Sequence, residues 1–110
     1  MTVKELCQQF DLKSLTDEGG FDRPVTGGYT GDLLSWVMAR LPADAAWLTV
    51  MGNINAIAVA SLKDAACMIL TDSAPLDDDA LAKARQLDFA VLSSDQSSYD
   101  LGAKIAALLK

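Results

Sequence analysis

The sequence predicts an α/β chain in three layers, a largely parallel or mixed sheet flanked on its faces by helices. Two observations carry this. Continuous apolar runs at Ala45–Val50, Ala66–Thr71 and Phe89–Leu92 read as strands buried on both faces, the pattern of strands covered by helices. Each run is followed by a helical pattern: from the Gly52-Asn53 turn to about Leu62, from Asp77 to Leu87, and from about Asp95 to Leu109. Strands that alternate with helices imply crossover connections. With 110 residues the chain reads as one domain, 1–110, able to bury roughly two-thirds of its unfolded surface.

The elements before these runs are shorter. Thr2 and Glu5 form the S/T-x-x-E spacing of a capping box, and Val3, Leu6, Cys7 and Phe10 recur at helical spacing, so a first helix ends near Phe10. Leu12–Leu15 suits a short strand, and Asp17-Glu18-Gly19-Gly20 a turn. From Phe21 to Gly31 the breakers Pro24, Gly27, Gly28 and Gly31 restrict the chain to irregular or edge-strand backbone. Asp32 is placed as the N-cap of a helix whose stripe is Leu33, Leu34, Val37, Met38 and Leu41, stopped by Pro42.

Composition removes several functions. There are 9 Lys and Arg against 15 Asp and Glu, a net charge of −6, which disfavours nucleic acid and anionic membrane surfaces as partners. The chain has no histidine, so the commonest general base and the commonest metal ligand are missing. Cys7 and Cys67 lack the spacing of a zinc site and are expected to be reduced and structural. No metal or cofactor is expected. No secretory pattern and no long apolar span occur, which predicts a cytoplasmic protein.

The most distinctive segment is Asp22-Arg23-Pro24-Val25-Thr26-Gly27-Gly28-Tyr29-Thr30-Gly31-Asp32. It is not a dinucleotide fingerprint, because G-x-G-x-x-G ending at Gly31 would need glycine where Thr26 stands. A P-loop sequence is also absent. Read plainly, it is a tight turn between an edge strand and a helix. Asp22 and Arg23, adjacent along an extended strand, point to opposite faces, so Arg23 finds its partner across space: a carboxylate or an anionic ligand.

The string D-R-x-x-T-G-G followed by G-D-L-L-S-W-V-M resembles the DRTGG domain, and the resemblance runs from about Val3 to Leu109. It implies a fold like the N-terminal domain of HPr kinase/phosphorylase and a ligand-binding or regulatory role without an established reaction. In HPr kinase the phosphate-binding loop lies in a separate domain, and nothing here replaces it, so kinase activity is not expected.

A second candidate site comes from topology, since ligands of open α/β sheets lie beyond the carboxyl ends of the strands. Those ends carry Gly52 and Asn53, then Thr71, Asp72 and Ser73, then Ser93, Ser94 and Asp95. Capping explains each of these polar residues individually. The expected ligand-binding set is therefore Asp22, Arg23, Thr26, Gly27, Gly28, Gly52, Asn53, Ser93 and Ser94, with a nucleotide or another anionic small molecule as ligand. The alternative is an interaction subunit that docks on an enzyme complex. Asp77-Asp78-Asp79 reads as a solvated helix start, and Trp36 and Trp47 as core or interface residues. The helix containing Ile54–Val59 is apolar nearly all round, and a homodimer burying it is expected.

Overall fold

A computed structural model describes residues 1–109. Its elements are α1 (Val3–Phe10), β1 (Lys13–Ser14), β2 (Gly27–Thr30), α2 (Leu34–Arg40), β3 (Ala45–Thr49), α3 (Ile54–Leu62), β4 (Cys67–Leu70), α4 (Asp78–Gln86), β5 (Val91–Ser93) and α5 (Ser98–Leu108). The sheet is mixed, ordered β1-β5-β4-β3-β2. β2, β3, β4 and β5 run parallel, and β1 joins antiparallel to β5.

Alternation along the strands divides the apolar residues between two cores. Trp47, Met68, Leu70 and Val91 meet α2, α3 and α4 through Val37, Ile57, Ala60, Ala80 and Ala84. Ala46, Leu48, Cys67, Ile69 and Leu92 meet α1 and α5 through Val3, Leu6, Leu101 and Ile105. Strands added in sequence order put the three β-α-β connections on one face. That leaves the other face to the terminal helices. The three layers follow from this division.

α1 starts at the expected capping box: the Thr2 hydroxyl accepts from Glu5 N–H, and the Glu5 carboxylate accepts from Thr2 N–H at 3.0 Å. β2 is the edge strand that its glycines imply. Two expected caps are corrected. α2 has Leu33 at its N-cap without a side-chain bond, because Asp32 is engaged elsewhere. Its carboxylate accepts from the Thr49 hydroxyl at 2.7 Å and from Val50 N–H at 3.0 Å. α5 starts at Ser98 and not near Asp95; Ser97 caps it by accepting from Asp100 N–H.

α3 is covered by its own chain on one side only, and Ile54, Ala58 and Leu62 stay exposed. α2 and α4 flank it, and Ala56, Ile57, Val59 and Ala60 are buried without a second subunit. That packing buries the inner side of α3 and leaves its outer side, from Ile54 to Leu62, facing solvent. Small residues on both sides let three helices lie close across one face: Ala56 and Ala60 on α3, Ala80 and Ala84 on α4. Among the described residues, no helix is long and apolar enough to cross a membrane.

Candidate functional site

The glycine segment divides at Arg23. Asp22 is exposed beside a shallow depression formed with Thr2, Lys4, Glu18 and Phe21. Arg23 turns the other way, to the amino edge of the sheet. Its Nη2 donates to the Asp44 carboxylate at 2.8 Å and to the Asp64 carbonyl at 3.0 Å, and its Nη1 donates to the Asp64 carboxylate at 3.2 Å. Asp44 and Asp64 have φ of 61° and 59°, left-handed turns that aspartate tolerates better than most residues. They stand just before β3 and β4, so one guanidinium ties together the two turns that launch the central strands. The partner of Arg23 is thus a pair of carboxylates of its own chain.

Thr26, Gly27 and Gly28 lead away from that clamp into β2 and line a groove. With Tyr29 and Thr30 they form one wall, and α5 forms the other through Ser98, Tyr99, Gly102, Ala103 and Ala106. The groove holds about 530 Å³. Leu48 and Ile105 close its floor. Gly102 sits on Thr30 and Leu48 at ordinary contact range: a Cβ there would lie 3.4 Å from Thr30 Cγ2 and 3.7 Å from Leu48 Cδ2. At the mouth the Tyr99 ring is 84% exposed. The first turn of α5 ends the groove at the carboxyl edge, anchored by a 2.6 Å hydrogen bond between the Ser98 and Thr71 hydroxyls. None of the lining residues is charged.

The residues expected at the carboxyl edge are not drawn into this groove. Gly52 sits under the loop to α4, where a Cβ would fall 1.9 Å from the Pro75 carbonyl oxygen. Its own carbonyl accepts from Asp77 N–H at 2.8 Å. Asn53 caps α3 by accepting from Ala56 N–H at 2.8 Å. Ser94 is buried, its hydroxyl accepts from Gln96 N–H, and its carbonyl accepts from Ser73 N–H. Ser93 closes β5 opposite Lys13 and Leu70. These groups brace one another: Asp72 and Ser73 adopt φ of 54° and 53°, held by bonds from their N–H groups to Gln96 and Ser94.

The residues of α5 were not legible as site residues. Their one signal is Gly102 inside a helix, next to Ala103 and near Ala106. Glycine costs helix stability, which makes its place in a helix interior a weak signal of contact, here with Thr30 and Leu48. Neither thiol has a group beside it that would favour the thiolate enough to lower its pKa. Burial pushes Cys67 up to about 12, and partial burial raises Cys7 as well. Among the described residues, no group of three or more His, Cys, Asp or Glu could hold a metal ion. No family model matches the chain, and no curated protein matches it.

Proposed function

We propose that the chain is a non-enzymatic regulatory or ligand-binding module of the DRTGG type, with the HPr kinase N-terminal-domain-like fold that type implies. Its site is the groove between β2 and α5. The observation that carries the reading is that Thr26, Gly27 and Gly28 of the motif form the wall facing α5. Glycines there leave room for a flat group against the strand, and the Tyr99 ring at the mouth supplies a stacking face. The Ser98 and Tyr99 N–H groups of the first α5 turn, left by the Ser97 cap that takes Asp100 N–H, suit the anionic end of the molecule, against the opposing charge of Asp100 on the same turn. A nucleotide combines both features. The lining offers hydroxyls without a neighbouring base, which supports binding over catalysis.

A panel of AMP, ADP, ATP and cyclic nucleotides tests this by thermal shift and by amide chemical shifts. A nucleotide at ~100 times its Kd stabilises the fold by about 2.7 kcal/mol and moves the amides of Gly28 and Gly102. No change in melting and no movement of those amides across the panel would refute the nucleotide reading.

A second reading, an interaction subunit docking on an enzyme complex, draws on a different observation: β2 ends the sheet, and among the described residues no strand lies beyond it. Either module would be cytoplasmic. For a homodimer, support comes from a surface that takes in the start of the expected helix. Leu33 and Trp36 at α2, Val50 just after β3 and Ile54 at the start of α3 are exposed, and exposed apolar residues of this kind suit a subunit contact.

A further inference from the structure

We propose that the outer edge of β2 accepts an extended, basic segment of a partner protein as a sixth strand, with its side chains lying in the β2–α5 groove. This rests on the interaction-subunit reading and gives that partner a conformation and a charge. Gly31 N–H donates to Leu48 C=O at 3.3 Å in the parallel register that sets Tyr29 opposite Trp47. Alternation along a strand then turns Tyr29 toward β3, and turns the N–H and C=O groups of Gly28 and Thr30 outward. Among the described residues no strand pairs with that edge. The chain itself begins such a pairing just below it. Thr2 bridges Pro24 in antiparallel sense, and Met1 C=O accepts from Val25 N–H at 2.7 Å. Beyond Val25 no described residue pairs with the edge.

Natural sheets guard their edges with charges, prolines or bulges. Gly27-Gly28-Tyr29-Thr30 has no charge and no proline, and a Cβ at Gly27 would meet nothing within 4 Å. An edge strand flanked by a helix with an apolar groove between them is one of the standard frames for strand addition, where main-chain bonds supply affinity and the groove reads alternate side chains. Charge selects the occupant. The groove is neutral, but exposed Asp32 follows β2 and exposed Asp95 and Asp100 flank the start of α5, outnumbering the Lys104 ammonium there, which donates to Gln96 at 2.7 Å. The whole chain carries −6. A basic segment is attracted to that rim, whereas a second copy would bring a like-charged rim against it.

The test uses the whole protein and two blocked decapeptides, one alternating lysine with valine and one alternating glutamate with valine. With the lysine peptide at about 1 mM, hydrogen exchange at the Gly28 and Thr30 amides slows by about tenfold. The glutamate peptide has no such effect, and N-methylation of the lysine peptide at alternate residues abolishes it. Gly28→Pro removes one outward donor and lowers affinity by about tenfold; the N-methylated peptide answers the same question should that variant not fold. Several results would overturn the proposal: equal protection by both peptides, protection elsewhere only, or no protection at all. Protection that rises with protein concentration alone would put a second copy on the edge and also overturn it. Failure of both peptides together with a nucleotide that shifts Gly102 would reject strand addition and leave the ligand-binding reading standing.

Discussion

Removing the Arg23 guanidinium should loosen the two turns that launch β3 and β4. Its partners Asp44 and Asp64 have side chains 41% and 71% exposed, so solvent screening holds each ion pair to about 0.5 kcal/mol. The bond to the Asp64 carbonyl adds about 0.5 kcal/mol. Arg23→Ala also leaves two carboxylates without the cation between them. The total is about 1.5 kcal/mol, or a fall in Tm of about 6 °C for a domain this size. Arg23→Lys keeps the charge but not the fork and should recover about half of it. Chemical denaturation of the two variants, with and without Asp44→Asn, separates the contributions in a double-mutant cycle. Half-molar salt should shrink the difference. A loss under about 0.3 kcal/mol for Arg23→Ala, or an Asp44 coupling near zero, would refute the clamp.

The other expectations are more local. Gly52→Ala drives a methyl group into the Pro75 carbonyl, 1.9 Å from the ideal Cβ, and should cost about 3 kcal/mol by denaturant midpoint, whereas Gly27→Ala, with open space around it, should change little. Iodoacetamide on the native protein should label Cys7 and spare Cys67, whose thiol burial pushes up to about 12; mass spectrometry reads the site, and rapid labelling of Cys67 would contradict its burial. Bonds from Thr2 hold the Glu5 carboxyl below its usual range, so this cap stabilises α1 above the unfolded value and is lost as pH falls through the folded one; Thr2→Ala should flatten that acid dependence in stability measurements. Trp36→Glu, on the exposed α2 surface where the ring lies 4.0 Å from the Arg40 guanidinium, should leave the fold intact and convert a dimer to a monomer by light scattering. A wild-type monomer at tens of micromolar, the range of a moderate-affinity pair, would remove the dimer.

The three layers, the order of strands and helices after Asp32 and the edge position of the glycine segment were legible in the sequence. Each depends on local periodicity and on residues that break it. Continuous apolar runs require cover on both faces, and Gly27-Gly28 after Pro24 does not suit a central strand. The caps at Thr2 and Asn53 were legible for the same reason, since donor and acceptor are three residues apart. Asp32 shows the limit. By spacing it is an N-cap, but β3 passes within reach and Thr49 and Val50 claim its carboxylate. Arg23 shows it again: a distant partner was expected from an extended strand, whereas Asp22 lies in a turn with Arg23 N–H on Gly20 C=O. Asp44 and Asp64 become its partners because parallel strands gather successive turns at one edge. The groove depended on tertiary structure most of all. Its two walls, β2 and α5, are separated by most of the chain, and only the return of α5 across the face left open by α2, α3 and α4 sets Gly102 against Thr30. Helical and strand periods determine which face of an element is apolar; which two faces meet is decided by the packing of the whole sheet.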